Sequence, residues 1–328
     1  MSFNPSILDQ INQRRFLITG GAGFIGSNIA HRLIQLGASS VSVLDDLSTG
    51  FESNIESLKQ YPSFKFIKAD IRDKEACLHV CENVDIVLHQ AALGSVPRSI
   101  DNPLLTNSVN VDGFLNVINA ARLSGVTRFV YASSSSVYGD DTTMPKVEEK
   151  TGELLSPYAV SKSANEKYAK VFSRVYGMET VGLRYFNVFG PRQNIRGPYA
   201  AVIPLFIQCM LKGERPTIFG DGTNTRDFTF VENVVNANLL AALTPNIGKD
   251  SPIINIAFGG TISLNSLYDS LTKMADFTMP PIYASERKGD IRNSYADISK
   301  AREIIDYTPS VGVEEGLRIT LDWYKSII

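Results

Sequence analysis

Thr19-Gly20-Gly21-Ala22-Gly23-Phe24-Ile25-Gly26 follows a short apolar run at 14–19 and opens an amphipathic run at 24–36. Strand, glycine turn and helix in that order make a phosphate cradle. Glycine permits the tight turn and lets backbone approach a pyrophosphate. The helix N-terminus adds unpaired N–H groups and the positive end of its dipole. Gly20, Gly23 and Gly26 follow a GxxGxxG spacing rather than the GxGxxG of many dehydrogenases. An acid completes the pattern: Asp45, followed by Asp46, ends the second apolar run 19 residues after Gly26 and can accept from ribose hydroxyls. No Arg stands between Asp45 and Phe51 to meet a 2′-phosphate, so the reading favours NAD over NADP.

Outward from this turn the same rhythm continues. Residues 41–44, 64–68, 84–88, 128–132 and 180–183 read as short β-rich strands, and 74–80, 103–123 and 157–176 as helices. Such alternation predicts an α/β fold, a Rossmann-type doubly wound parallel sheet with helices on both faces. Asp70-Ile71, after the third strand, either border an adenine or simply make the turn. After Arg184 the rhythm breaks. Residues 190–199, rich in Gly, Pro, Asn and Arg, read as a loop, and a helix at 313–325 carries Leu317, Leu321 and Tyr324 on one face. The expected division is an NAD-binding Rossmann domain over 1–188, with a return segment near 228–260. A smaller mixed α/β substrate domain is expected over 189–328.

Composition narrows the function class. The chain has 328 residues, 44% of them hydrophobic, enough for a substantial core. A net charge of −2 gives no overall attraction to nucleic acid or a membrane surface, so an anionic ligand must be held by local Arg and Lys. Cys77, Cys81 and Cys209 form no disulfide framework and lack further ligands at metal spacing; they read as packing thiols. Residues 1–15 hold no signal-peptide core. The longest apolar stretch, 200–211, contains Pro204 and Gln208 and is too short to span a bilayer, so a cytoplasmic protein is expected.

Tyr158 and Lys162, in Pro157-Tyr158-Ala159-Val160-Ser161-Lys162, are four apart on a helix and share a face. Four serines, 133–136, end a preceding strand, the side of an open α/β sheet where ligands bind. Oxidising an alcohol requires a base for its proton. A free Tyr, with pKa about 10, is too weakly acidic to serve at neutral pH. A nearby ammonium and a positively charged nicotinamide ring both favour the phenolate, and a Ser hydroxyl can position it or relay its proton. His89 follows a buried strand and reads as a packed residue outside the chemistry.

The motifs TGGAGFIGSN (19–28), HQAALGSVPRSI (89–100), SSSSVYGD (133–140), PYAVSK (157–162), LRYFNVFGPRQ (183–193), GDGTNTRDFTFVENVV (220–235) and RKGDIRNSYADISKA (287–301) together resemble the extended short-chain dehydrogenase/reductase family. Within it they are similar to the UDP-sugar 4-epimerases, especially the branch acting on UDP-N-acetylglucosamine. The resemblance implies Tyr158 as base, Lys162 as its electrostatic partner and Ser134 as the auxiliary hydroxyl, with Ser135 beside the sugar. It implies Asn110 and Asn187 as sugar-side asparagines, Arg226 and Arg287 as the diphosphate clamp, Asp290 on the uridine ribose, and Ala201 and Val202 along the uracil. Ser95 and Arg98 fall near the sugar pocket, and Arg98 can face a C6 carboxylate. Relatives that dehydrate or decarboxylate carry a carboxylate just before Val-Tyr-Gly; this chain has Ser135 and Ser136, which favours simple epimerisation. Ser294 stands where some relatives have a bulky Tyr that excludes an N-acetyl group. The resemblance also implies a homodimer, built from the helices at 103–123 and 157–176 through exposed-looking apolar residues such as Val117, Ala121, Ala164 and Tyr168.

Overall fold

The computed structural model describes residues 5–195, 200–247, 250–286 and 293–327. Its centre is a parallel sheet of β1 (Arg15–Thr19), β2 (Ser40–Asp45), β3 (Phe64–Lys68), β4 (Ile86–His89), β5 (Arg128–Ser134), β6 (Glu179–Tyr185) and β7 (Ile253–Ile256). The strand order is β7-β6-β5-β4-β1-β2-β3. Chain order reverses between β1 and β4, which places a crevice above that pair. Register brings the carboxyl ends level: Thr19 pairs with Leu44 and His89, and Ser134 pairs with Tyr185. The glycine turn and the serine run therefore leave the sheet at the same edge.

Both faces of the sheet are covered, so the central strands β1 and β4 are buried almost throughout, while the edge strand β3 leaves Lys65 and Lys68 exposed. One core gathers Phe16, Ile18, Val41 and Val43 with the helices Phe24–Gln35 and Val231–Leu243. The other gathers Leu17, Val87, Phe129 and Tyr131 with Lys74–Cys81 and Phe114–Leu123. The helix Val231–Leu243 is buried on nearly every side, as a helix without a polar face must be. It returns the chain from the substrate side and leads to β7, which extends the sheet beyond the six strands expected. A further unexpected helix, Pro5–Gln13, tucks Ile11 into the first core.

Two expectations need correction. The run 103–123 is not one regular helix. Pro103–Asn107 and Phe114–Leu123 are joined by a π-helical stretch, Ser108–Gly113. Nor are Val117 and Ala121 exposed: both are buried against the second face of the sheet. Periodicity identified the face but not what covers it. Exposed apolar residues instead cluster on Val96–Asp101, Pro103–Asn107 and Pro157–Tyr176, among them Ile100, Leu104, Val160, Tyr168, Val171 and Val175.

Beyond β6, β7 apart, the strands are short. Val188–Phe189 pairs with Thr229–Phe230, Thr225–Arg226 with Ile262–Ser263, and Thr217–Phe219 with Ile282–Ala284. The last helix, Val313–Ile327, buries Leu317, Leu321 and Tyr324 as its pattern required. No described helix is long and apolar enough to cross a membrane.

Candidate active site

A cleft of about 580 Å³ runs over the carboxyl ends of the strands. Gly20, Gly23, Phe24, Ile25 and Gly26 form its floor, and Asp45, Asp46, Asp70 and Ile71 line one end. The turn has no room for side chains. A Cβ on Gly26 would lie 2.3 Å from the Gly20 carbonyl oxygen, and Gly20, at φ +68°, would place one 2.6 Å from the Ala91 nitrogen. No side-chain cap blocks the helix start at Gly23. A cradle with no room for a Cβ at Gly20 or Gly26, at a bare helix N-terminus, fits a dinucleotide diphosphate.

Asp45 braces this cradle as well as facing the cleft. Its carboxylate accepts from the Ala22 N–H at 2.9 Å and the Leu47 N–H at 2.8 Å. Burial raises its pKa, and those hydrogen bonds partly offset the rise. Asp46 is exposed and accepts from the Ser48 N–H and hydroxyl. Asp70 makes the turn by accepting from the Arg72 N–H, pairs with the Arg72 guanidinium, and lines the cleft.

At the other end, Ser134, Ser135, Tyr158 and Lys162 line the same cleft. Ser156 caps the Ala159 N–H and Pro157 fills the first helical position, so Tyr158 begins a 20-residue helix directly above the sheet. The Ser134 hydroxyl, in the same cleft, favours the Tyr158 phenolate. Lys162, almost wholly buried, donates to the Ala132 carbonyl at 2.8 Å and lies 6.0 Å from the Tyr158 ring centre. Burial pushes its pKa down to about 8, and the carboxylate of Glu166 pulls the other way. Burial also raises the Tyr158 pKa, against a smaller lowering by Ser134. In the protein alone, desolvation therefore outweighs the lowering that the sequence led us to expect from Lys162.

A second cavity of about 470 Å³ adjoins the first and shares Asn187, Val188, Ala200 and Ala201 with it. Val202, Ile203, Phe206, Phe219 and Phe228 give it apolar walls, and Arg226 and Arg215 supply cations. Asn187, at φ +32°, donates to the Asp227 carbonyl. Arg98 lines the first cleft. Asn110 does not face it: its amide is spent on the backbone of Leu93 and on Ser161, holding the loop before residue 95 against the helix. Ser95 caps the next short helix by accepting from the Arg98 N–H and lines neither cavity. Ser294 also lines neither. Its N–H donates to the Thr225 carbonyl, beside Arg226. Arg287 and Asp290 lie outside the described residues.

Sequence reasoning missed the supports. Glu166 receives the Ser133 hydroxyl at 2.6 Å and a two-pronged pair from Arg184 at 2.9 Å each. Gln90, Tyr185 and Asn238 form a hydrogen-bonded triangle under the cleft. Asp227, its pKa pushed up to about 6 by burial, accepts from the N–H groups of Phe258, Gly259 and Ala296 and so ties together the strands around Arg226. His89 is buried, bonded to Thr19 and stacked on Phe129, with its pKa pushed down to about 3 by burial; it is a packed neutral residue. Cys77 and Cys81 are buried thiols pushed up to about 12.

Comparison with known proteins agrees with this geometry. The profile of the NAD dependent epimerase/dehydratase family matches residues 16–257. The UDP-glucose 4-epimerase of Mycolicibacterium smegmatis is 36% identical, over 95% of this chain and 99% of that one. The UDP-N-acetylglucosamine 4-epimerase of Methanobrevibacter ruminantium M1, solved in complex with UDP-N-acetylmuramic acid, superposes with a TM-score of 0.91. It is 38% identical, with 96% of this chain and 99% of that one covered. The UDP-glucuronic acid 4-epimerase of Bacillus cereus, solved with UDP-glucuronic acid and NAD, gives a TM-score of 0.87 at 30% identity, covering 96% and 100%.

Proposed function

The chain belongs to the NAD dependent epimerase/dehydratase family, and on that premise we propose that it inverts C4 of UDP-N-acetylhexosamines, interconverting the gluco and galacto epimers. The observation that carries this reading is the distribution of acids. Among the described residues lining the two cavities, the carboxylates are Asp45, Asp46 and Asp70, all at the adenosine end. The described residues that line the cleft with Tyr158 at the other end, Ser134, Ser135, Lys162 and Asn187, include no carboxylate. A dehydratase must remove the C5 proton and needs a base there; an epimerase does not.

NAD, when bound, supplies the acceptor and donor of hydride at C4. The rest falls to the chain. Gly20, Gly23 and Gly26 let backbone reach the dinucleotide, with Phe24 and Ile25 offering the first helical N–H groups and Asp45 or Asp46 meeting the ribose. Tyr158, as the phenolate that the Lys162 ammonium and the charge of bound NAD would favour, takes the proton from O4, and Ser134 holds its oxygen in line. The resulting 4-keto sugar turns in the pocket and presents its other face. Tyr158 then returns the proton to O4. Turning demands a firm hold on the nucleotide and a loose one on the hexose. Arg226, the apolar walls and the helix start at Ala201-Val202 suit the first, while Asn187 and Ser135 face the sugar.

Ser294, although it lines neither cavity, brings no bulk beside Arg226 that would exclude an N-acetyl group. Arg98 in the cleft supports a second reading, a C6 carboxylate on the substrate. Incubation with UDP-GlcNAc, its 6-carboxylate analogue and UDP-glucose, with products read by NMR, separates them. Faster turnover of the carboxylate replaces the first reading with the second, and turnover of none refutes both. The exposed apolar residues on the adjoining helices Val96–Asp101, Pro103–Asn107 and Pro157–Tyr176, with Leu104 83% exposed, suit pairing with a second copy of the chain.

A further inference from the structure

Arg192 stands out among the cations of the molecule. It lines the cofactor cleft, is partly buried, and burial is the one influence on its pKa, which it lowers. No carboxylate pairs with it among the described residues. Its hydrogen bond, at 2.9 Å, goes to the Asn28 side-chain oxygen on the helix that the glycine turn opens. A guanidinium carries five donors and keeps its charge at any physiological pH. Holding it in a cleft without a counter-charge is costly unless an anion completes the site.

The loop around it is firmly built. Asn28 donates to the Pro191 carbonyl at 3.1 Å and to the Phe24 carbonyl at 2.9 Å, joining the loop to the first turn of the helix. Gln193 donates to the Val188 carbonyl, and the Tyr324 hydroxyl on the last helix donates to the Gln193 carbonyl. Arg192 itself sits at φ +69°, a left-handed conformation that an L-residue adopts at some cost and that recurs at ligand clamps. A second orphan lies next to it: the side-chain oxygen of Gln193 is buried, has no partner, and belongs to a residue lining the same cleft.

We propose that Pro191-Arg192-Gln193 is a retaining clasp for the dinucleotide, with the Arg192 guanidinium bound to its diphosphate across from the glycine turn and the Gln193 oxygen receiving a ligand donor. The diphosphate of the sugar nucleotide has the same chemistry, but it has Arg226 and Arg215 in the adjoining cavity, which Arg192 does not line. The clasp comes from the substrate-side loop, so cofactor and substrate halves hold the dinucleotide jointly. This inference rests on the family's cofactor and not on the identity of the sugar, so it stands or falls separately from the proposed epimerisation.

The test compares the purified wild-type protein with Arg192→Ala, Arg192→Gln and Arg192→Lys. NAD released on denaturation is counted per chain, and NAD and UDP affinities are measured by calorimetry, with thermal unfolding as the folding control. Losing a charge-assisted bond to a diphosphate weakens NAD about tenfold to a hundredfold. Ala and Gln variants should therefore emerge largely stripped of NAD, Lys should retain an intermediate amount, and UDP affinity should stay within about twofold in all three. Full NAD content with unchanged NAD affinity in a folded Ala or Gln variant overturns the clasp. So does a loss of UDP affinity with NAD retained, which assigns the guanidinium to the sugar nucleotide.

Discussion

Glu166→Gln is the sharpest single perturbation of the catalytic helix. Glu166 lies one turn beyond Lys162 and is 8% exposed; its partner Arg184 is 4% exposed. The glutamine keeps the shape and can still accept from Ser133, but it leaves Arg184 buried without a counter-charge. Breaking a buried pair in this way costs about 3–5 kcal/mol, and the retained hydrogen bonds place the loss near the lower end. For a chain of 328 residues the unfolding entropy is about 0.7 kcal/mol per degree, so a loss of about 3 kcal/mol lowers Tm by about 4–5 °C. A second effect follows from charge. Glu166 supports the protonated form of Lys162, whose pKa burial has already pushed down to about 8. In the variant that pKa falls further, and the alkaline limb of kcat moves to lower pH. Differential scanning fluorimetry and a pH–rate profile read the two effects separately. An unchanged Tm together with an unmoved limb would refute the role of Glu166 as the counter-charge of both Arg184 and Lys162.

Other outcomes follow from the same structure. Tyr158→Phe should lower kcat at least about a hundredfold, the usual worth of a positioned proton acceptor, with UDP affinity retained; unaltered kcat removes Tyr158 from the chemistry. Lys162→Met should stabilise the ligand-free protein at pH 7 while abolishing turnover. The folded pKa of Lys162, about 8, is depressed from 10.5, so the penalty on its ammonium is full below pH 8 and fades between 8 and 10.5. That difference corresponds to about 3 kcal/mol at neutral pH, and denaturant titrations at pH 7 and pH 10 should show the gain shrinking. Gly26→Ala, with its Cβ driven onto the Gly20 carbonyl, should yield protein without NAD; dinucleotide counted after denaturation checks this. Leu104→Glu with Val175→Glu should convert a dimer to a monomer in light scattering, and a wild-type monomer would refute the pairing.

What the sequence revealed, and what it hid, has physical reasons. The glycine turn was legible because no other residue fits where a Cβ would strike backbone, and its strand, helix and acid each left an independent mark. Tyr158 and Lys162 were legible because helical spacing alone puts them on one face. β7 was hidden because Asn255 interrupts Ile253, Ile254 and Ile256; its amide is satisfied by the distant carbonyls of Lys146 and Asp297. The helix Val231–Leu243 was hidden because a segment buried on all sides has no amphipathic period, and Asn233, Asn236 and Asn238 look like surface until their surroundings are known. Asn110 shows the converse. An amide at a helix position suggests a ligand contact equally well when it holds a loop, and only coordinates separate the two. Glu166 and Arg184 stand 18 residues apart on different elements, so no local pattern could pair them.

The central claim is that one carbinol carbon is oxidised and reduced within a single cleft, with the proton handled by Tyr158 and no carboxylate base for C5 among the described residues lining it there. Incubation of the protein as purified with UDP-GlcNAc in deuterium oxide, without added NAD, tests it most directly. The account predicts that proton NMR shows the galacto epimer accumulating with full proton intensity at both C4 and C5. Deuterium at C5, or no epimer from protein that carries its NAD, would contradict it.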